Sequence, residues 1–159
     1  PPLEKIDLQI VLEDVVNDLE LIIIQKEAQV KYSNLPVVEG IPMLLHQLFY
    51  NLINNALKFS KTDTKPVISI SRLPDSKTAG SIPSFHIAVE DNGIGFNPVY
   101  ADRIFNVFSR LNSKDKYDGT GLGLALCRKI MHRHKGEIYA ESQEGNGATF
   151  HILIPKHRQ

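Results

Sequence analysis

Apolar residues recur at helical spacing in three stretches of the chain. The pattern predicts helices over residues 8–24, 42–59 and 121–134, because positions three and four apart share one helix face. Asp7 stands where an N-cap residue belongs, and Pro42 suits the first turn of a helix. We therefore expect three amphipathic helices, each with one buried face.

Short runs rich in β-branched and aromatic residues lie between and after the helices. They predict strands over residues 30–32, 67–71, 85–90, 137–142 and 148–154. Proline, serine and glycine predict a loop over residues 74–84 in one hairpin, and Gly145-Asn146-Gly147 predicts the turn of another. Helices interleaved with mostly adjacent strands favour an α+β fold, arranged as a two-layer α/β sandwich.

The pattern loosens between Asn97 and Gly119. One short amphipathic piece, residues 101–111, is followed by a polar stretch over residues 112–118. Long irregular connections in compact domains tend to be functional, so we expect this segment to be a lid.

Composition narrows the class of protein. The chain has 159 residues, which suits a single domain over residues 1–159. Its 18 basic and 18 acidic side chains balance, so it has no net charge that would attract nucleic acid. The longest apolar run, residues 21–24, is far shorter than the ~20 residues that span a bilayer. The single Cys127 gives no disulfide framework. We expect a cytoplasmic domain cut from a longer protein, and membrane attachment of that protein stays open.

Three glycines at alternate positions, Gly119, Gly121 and Gly123, lead into the third helix. Backbone N–H groups at a helix start favour an anion, and glycines leave those groups accessible. The spacing matches neither the dinucleotide fingerprint nor the P-loop, which continues into a lysine. The segment therefore predicts a phosphate-facing loop of another type.

Asn51, Asn55 and Lys58 share one face of the second helix, offset from its apolar stripe. Amide oxygens can join water and phosphate oxygens around Mg²⁺, and a lysine offers phosphate a point charge. Taken alone, a solvated polar face is the more common explanation of this pattern.

Asp91 follows a predicted strand, and Asn92-Gly93-Ile94-Gly95 then turns the chain. A carboxylate at a strand end can accept a hydrogen bond from an exocyclic amine, and glycines let a flat ring approach the backbone. Taken alone, the same residues suit an ordinary turn.

Five motifs occur in a fixed order along the chain. They are Asn51-Leu52-Ile53-Asn54-Asn55-Ala56-Leu57-Lys58-Phe59, Asp91-Asn92-Gly93-Ile94-Gly95, Phe105-Asn106-Val107-Phe108, Gly119-Thr120-Gly121-Leu122-Gly123-Leu124 and Gly145-Asn146-Gly147-Ala148-Thr149-Phe150. The series resembles the N, G1, F, G2 and G3 boxes of the ATP-binding catalytic domain of bacterial sensor histidine kinases. The resemblance covers nearly the whole chain, and two stretches of the lid, residues 108–111 and 117–121, are most similar to those of phytochrome-type and hybrid kinases.

The resemblance implies the Bergerat fold, in which helices cover one face of a mixed sheet and the nucleotide lies between helices and sheet. ATP and Mg²⁺ are the implied cofactors. Asn55 would bind the metal with Asn51 beside it, Lys58 would meet phosphate, and Phe59 would flank the adenine.

The other implied contacts come from the G1, lid, G2 and G3 segments. Asp91 would receive the adenine amino group with support from Thr149, and Gly93 and Gly95 would shape the base pocket. The nucleotide would also meet residues of the lid and the G2 box, namely Phe108, Arg110, Thr120, Gly121, Leu122 and Gly123. The resemblance further implies lid anchors at Phe105 and Phe108 and an alternative phosphate contact at Arg103.

Related ATPases of the wider superfamily, such as gyrase, MutL and the heat-shock chaperones, place a water-activating glutamate four residues before the metal-binding asparagine. Here Asn51 occupies that position, and an amide is no useful base near neutral pH. The sequence therefore favours transfer of the γ-phosphate to a histidine, attacked in line, over hydrolysis.

No histidine of this chain lies in the usual phosphoacceptor context, His-Glu or His-Asp with a downstream proline. The six histidines are His46, His86, His132, His134, His151 and His157. We expect no catalytic residue in this fragment, and with one cysteine no zinc site. His132 and His134 close the third helix, where a cation would suit the helix dipole.

The implied partner is a dimerisation and phosphoacceptor domain of the same protein, and a response-regulator receiver domain is an indirect partner. We expect the fragment to be a monomer and its parent a homodimer, with no nucleic-acid partner. Two other classes stay open: a nucleotide-gated interaction module, and a superfamily kinase or ATPase not directed at histidine. One departure from the family is Lys135, where glycine is frequent.

Overall fold

The computed structural model describes residues 2–106 and 122–156, so residues 107–119 of the lid expected between Asn97 and Gly119 lie outside them. The elements in chain order are β1 (Glu4–Asp7), α1 (Leu8–Asp18), α2 (Glu20–Gln25), β2 (Gln29–Tyr32), β3 (Val37–Gly40), α3 (Pro42–Lys58), β4 (Val67–Thr78), β5 (Ile82–Asp91), the 3-10 turns Pro98–Tyr100 and Arg103–Phe105, α4 (Leu122–Arg133), β6 (Glu137–Ser142) and β7 (Ala148–Pro155). None of the helices in these described ranges is long and apolar enough to cross a membrane.

The described residues form a five-stranded mixed sheet in the order β2-β4-β5-β7-β6. β2 runs parallel to β4, and the other neighbours are antiparallel. β1 and β3 make a separate antiparallel ribbon. The register that matters for function places Ile68 and Ala148 opposite Asp91, on either side of β5.

The helices and one face of the sheet share a single apolar core. α3 contributes most, because Leu45, Leu48, Phe49 and Leu52 are almost fully buried along one stripe. Burying each such side chain contributes about 1.5–3 kcal/mol. The predicted α+β sandwich with helices on one face is confirmed, and the polar residues of α3 are left facing away from the core.

Two predicted boundaries are wrong. The first helix breaks at Leu19 into α1 and α2, just after Asn17 and Asp18, whose side chains compete for backbone hydrogen bonds. The loop expected over residues 74–84 is mostly strand, because β4 continues to Thr78 and β5 starts at Ile82. Pro74 is tolerated in β4 for two reasons. At this position β4 pairs with β5 alone, and the register between these two strands shifts between Leu73 and Ser76.

His134 is buried, and the prediction that it would act as a cation at the end of the third helix is wrong. Its Nε2 atom accepts a hydrogen bond from the Ile41 N–H at 3.0 Å, and its Nδ1–H donates to the Ile130 carbonyl at 2.7 Å. One nitrogen accepts while the other donates, so both bonds require a neutral ring. His134 therefore joins the end of α4 to the start of α3.

A chain of hydrogen bonds crosses the sheet face that points away from the helices. His151 Nε2 lies 2.6 Å from Glu141 Oε1, and His86 Nε2 lies 2.8 Å from His151 Nδ1. An ionised carboxylate only accepts, so His151 Nε2–H donates to Glu141; in a neutral His151 ring, Nδ1 then accepts from His86 Nε2–H. Tyr139 stacks on the His151 ring at a centroid distance of 4.5 Å. The bonding pattern fits two neutral imidazoles.

The hydrogen bonds that join Glu141, His151 and His86 predict that the protein loses stability in mild acid. Burial lowers the pKa of His86 below 6.5, His151 lowers it further, and Glu141 opposes the shift. The unfolded chain then binds more protons than the native state, so stability is lost as the pH falls through about 6.5. Urea unfolding at pH 7 and pH 5 should show a smaller loss for His86→Gln, whose amide still donates to His151, than for wild type. His132→Gln, at an exposed histidine, should behave as wild type, and equal losses in all three proteins would contradict the assignment.

Candidate nucleotide-binding site

The C-terminal half of α3 presents polar side chains beside its buried stripe. Asn51 and Asn55 are half-buried, and Lys58 is exposed at the last helical residue. The backbone carbonyl of Asn55 accepts from the Phe59 N–H at 3.0 Å. Over the described ranges, no hydrogen-bond partner is recorded for the Asn55 side-chain amide, which leaves its oxygen available to a ligand.

Asn51 connects α3 to the first turn of α4. Its Nδ2–H donates to the Gly123 carbonyl at 3.4 Å, and the nearby thiol of Cys127 donates to the Leu48 carbonyl at 3.8 Å. Burial raises the pKa of Cys127 to about 12, so this thiol stays protonated. The bond to Gly123 places Asn51 of α3 next to the first turn of α4.

Asp91 stands at the end of β5 with one oxygen engaged and the other available. Its Oδ1 accepts from the Gly93 N–H at 2.8 Å and from the Ala148 N–H at 3.3 Å. Oδ2 has no recorded partner among residues 2–106 and 122–156. Burial raises the pKa of Asp91, the two backbone N–H groups oppose that shift, and nearby Glu90 adds to it.

Backbone hydrogen bonds join three segments around Asp91. Ile94 N–H donates to the Phe59 carbonyl at 3.0 Å, which ties the G1 turn to the end of α3. Gly147 N–H donates to the Gly93 carbonyl at 3.0 Å, and Gly145 N–H donates to the Ile94 carbonyl at 2.7 Å. The asparagine helix, the G1 turn and the β6–β7 turn are thus fixed to one another by main-chain atoms.

Three glycines of these turns, Gly93, Gly95 and Gly147, are required by close packing of backbone on backbone. A Cβ at Gly93 would lie 2.6 Å from the Phe59 carbonyl oxygen. Gly95 and Gly147 have φ of +64° and +72°, and a Cβ at either would overlap a neighbouring carbonyl oxygen. The sequence reasoning assigned Gly93 and Gly95 to the base pocket and missed this packing role.

Thr149 is not brought next to Asp91. The register pairs Thr149 with Glu90 and Glu141, whereas Ala148 pairs with Asp91. Successive side chains of a strand point to opposite faces, so Thr149 lies on the face away from the core that Ala148 helps to bury. The support expected from Thr149 comes instead from the backbone N–H of Ala148.

Some of the remaining predicted site residues belong to the described ranges and others do not. Phe105 is buried, with its ring edge-on to Phe150 at 6.0 Å, and Arg103 lies over the Tyr100 ring. Leu122 begins α4, and nothing is described of its side chain. The other predicted contacts lie outside the described residues, namely Phe108, Arg110, Thr120 and Gly121.

Any metal bound here would rely on amide oxygens. No group of three His, Cys, Asp or Glu side chains that could hold a metal occurs in residues 2–106 and 122–156. The Asn55 amide suits Mg²⁺, which takes one or two protein oxygens and completes its shell with water and phosphate. The donor set therefore fits a magnesium ion that arrives with a nucleotide.

Alanine variants of Gly123 and Gly95 should distinguish effects on ligand binding from effects on folding. A Cβ at Gly123 meets nothing within 4 Å, and alanine suits a helix better by up to about 1 kcal/mol. Gly123→Ala should therefore keep or raise the unfolding free energy, yet weaken ATP binding about tenfold by crowding the phosphates, a loss near 1.4 kcal/mol. Gly95→Ala should lower stability by at least about 1–2 kcal/mol because of its left-handed backbone.

Urea unfolding and calorimetry on both glycine variants give the two quantities. If Gly123→Ala lost stability in proportion to ATP affinity, the glycine would serve folding rather than the ligand.

Comparison with known proteins places this geometry in a family. Residues 40–158 match the family described as histidine kinase-, DNA gyrase B-, and HSP90-like ATPases. Cyanobacterial phytochrome A of Nostoc sp. (strain PCC 7120 / SAG 25.82 / UTEX 2576) is 41% identical over 145 residues, covering 91% of this chain and 18% of the phytochrome. The chain thus spans less than a fifth of that relative's length, and the predicted similarity to phytochrome-type kinases is confirmed.

Solved structures agree on the fold. The nucleotide-free catalytic domain of histidine kinase ThkA has a TM-score of 0.78 at 23% identity, covering 98% of this chain and 99% of that one. ThkA in complex with the response regulator protein TrrA gives a TM-score of 0.74 at 22% identity, covering 98% and 42% of the two chains. On the family match and the phytochrome relative, this chain belongs to the histidine kinase-, DNA gyrase B-, and HSP90-like ATPases, as an ATP-binding catalytic domain of the sensor histidine kinase type.

Proposed function

We propose that this domain binds Mg²⁺-ATP and presents the γ-phosphate to a histidine on a separate dimerisation domain. The observation that carries the proposal is that hydrogen bonds join the elements bearing three groups suited to a nucleotide. These are the Asn55 side-chain amide, the Asp91 Oδ2 atom and the first turn of α4 at Gly123. Hydrogen bonds from Ile94 to Phe59 and from Asn51 to Gly123 hold their parent elements together.

Each group has a chemical role at one end of the nucleotide. Asp91 Oδ2 would accept from the adenine amino group, while Oδ1 stays bound to the Gly93 and Ala148 N–H groups. Phe59, at the end of α3, would flank the base. Adenine would then be recognised by a donor–acceptor match that a base with a carbonyl in place of the amine cannot make.

The phosphate end uses α3 and the start of α4. Asn55 would bind Mg²⁺ with Asn51 beside it, and Lys58 would reach phosphate from the exposed end of the helix. A bound magnesium ion would neutralise charge on the phosphates during transfer. Gly123 would let phosphate oxygens approach the N-terminal amides of α4, where the helix dipole favours an anion.

Asn51 favours transfer over hydrolysis. It lies one helical turn before Asn55, where a general base would have to activate water, and its amide donates to Gly123 instead. The attacking group would then be a histidine imidazole supplied by another domain. We propose the dimerisation domain of the same protein as this partner, with a homodimeric parent and a monomeric isolated fragment.

A response regulator would be the later acceptor of the phosphoryl group. Support comes from the ThkA structure, which carries the same fold and was solved in complex with the response regulator protein TrrA. That complex belongs to ThkA, and for this chain a receiver domain is proposed by analogy of fold.

The test adds a phosphoacceptor domain in trans. Mg²⁺-dependent binding of an ATP analogue is measured by calorimetry, and labelled ATP is then supplied with the parent protein's dimerisation domain. Acid-labile, base-stable phosphohistidine on that domain is the expected product. Saturable binding without any phosphohistidine would support a nucleotide-gated interaction module, rapid phosphate release by this domain alone would support a hydrolase, and no saturable binding would overturn the proposal.

A further inference from the structure

Arg128 of α4 makes two contacts with the 3-10 turn Arg103–Phe105 and the residue before it. Its Nη2–H donates to Asp102 Oδ1 at 2.7 Å, and its guanidinium carbon lies 4.7 Å from the centre of the Phe105 ring. Asp102 is 88% exposed, whereas the Arg128 side chain is 28% exposed. Water weakens the ion pair with such an exposed carboxylate, so the stacking on Phe105 is the stronger of the two contacts.

Phe105 extends this contact to the sheet. Its ring meets Phe150 of β7 at a right angle, and both rings are almost fully buried. A continuous line of packed groups therefore runs from α4 through Arg128 and Phe105 to Phe150. The aromatic pair is rigid on both sides, since buried rings have little freedom to move.

Each end of this line belongs to an element that carries one end of the proposed nucleotide site. Phe150 is two residues from Ala148, whose N–H donates to Asp91. Arg128 is on the helix whose first turn accepts from Asn51 through Gly123. The side chain of Arg128 thus fixes the spacing between the element that would hold phosphate and the strand that would hold adenine.

We propose that Arg128 is a positioning residue for nucleotide binding, which sets the start of α4 relative to Asp91. It needs no contact with the nucleotide, and the inference rests on the proposed ATP-binding function. A planar guanidinium suits this place better than an ammonium, because it can lie flat on Phe105 while its edge donates to Asp102.

The experiment compares ligands with and without phosphates. Affinities for a non-hydrolysable ATP analogue are measured by calorimetry, and those for adenosine by NMR titration. Arg128→Met keeps an apolar stem of similar length but removes the cation. We expect its ATP-analogue affinity to fall about tenfold, the size of one partly buried cation–π contact, while adenosine affinity stays within about twofold.

Three further variants separate the contacts. Asp102→Asn removes the exposed ion pair and should change ATP-analogue affinity by less than about threefold. Arg128→Lys keeps the charge but loses the planar stack, and its affinity should lie between those of wild type and Arg128→Met. Lys129→Met removes a neighbouring exposed cation from α4 and should bind as wild type.

The outcomes distinguish this inference from the proposed function. If wild type failed to bind the ATP analogue, both would be overturned. If wild type bound and Arg128→Met bound equally well, only the positioning role would be lost. Equal losses for adenosine and the ATP analogue, with a matching drop in unfolding free energy, would assign Arg128 to general stability and also overturn the inference.

Discussion

Asn55→Ala is expected to lose Mg²⁺-dependent ATP binding, with affinity at least about 100-fold weaker, which corresponds to about 2.7 kcal/mol. The reason is that the Asn55 amide oxygen is the protein ligand the proposed site offers to the metal, and no acidic or histidine cluster of the described chain can replace it. The fold should persist, because the side chain has no recorded partner in the described ranges and alanine is a strong helix former.

Removal of magnesium gives the sharper form of this experiment. With a chelator present, wild type should fall to the affinity of Asn55→Ala, and the variant should not change further. Asn54→Ala is the matched control, because Asn54 is also half-buried on α3 but lies on another helix face. If Asn55→Ala retained a magnesium-dependent gain in affinity, the metal would be held elsewhere.

Asp91→Asn is expected to reverse base preference while leaving the fold intact. Two backbone N–H groups, from Gly93 and Ala148, point at Oδ1 and fix which end of an asparagine amide faces them. Its oxygen must take that place, so its NH₂ group replaces Oδ2. A donor would then face the adenine amino group, which is also a donor, and ATP affinity should fall about 100-fold.

Inosine triphosphate tests the direction of this effect. It carries a carbonyl where adenine carries the amine, so Asp91→Asn should bind it at least as well as wild type does. Calorimetry with both nucleotides measures the ratio, which depends on base recognition and not on general stability. Equal losses of affinity for the two nucleotides would contradict the assigned role of Asp91.

The stability of Asp91→Asn gives an independent check. Burial raises the pKa of Asp91 in the folded state, so its ionised form costs stability above the unfolded-state pKa. A neutral amide removes that cost. The variant should therefore unfold at neutral pH with a free energy no lower than that of wild type, as measured by urea denaturation.

Local patterns predicted those parts of the fold that local chemistry decides. The Asp7 side chain caps α1 as expected, by accepting from the Gln9 N–H, and Pro42 opens α3. The position of Asn55 follows from the helical period alone. The backbone at Lys135 also explains why glycine is frequent at this position in the family. Its φ of +58° is a conformation that glycine adopts more easily than lysine does.

The errors concern features set by tertiary neighbours. A motif gives the order of Ala148 and Thr149, but only the pairing of β7 with β5 decides which of them faces Asp91. His134 resembles a surface cation at a helix end until Ile41 from a distant strand-to-helix junction is placed against it. The packing of Gly95 and Gly147 likewise depends on a second loop that the local sequence does not reveal.

The bond between Ala148 and Asp91 also has a consequence for biosynthesis. The two residues are separated by 57 positions, and β7 follows all the other strands of the described residues in chain order. A ribosome-bound chain that has exposed Asp91 still lacks one of the two N–H groups that orient its carboxylate, and β5 still lacks its neighbour β7. Contacts of such long sequence separation form late. On the proposed function, full nucleotide affinity is therefore acquired only when the β6–β7 hairpin has emerged, and ATP does not act as a template for the earlier part of the domain.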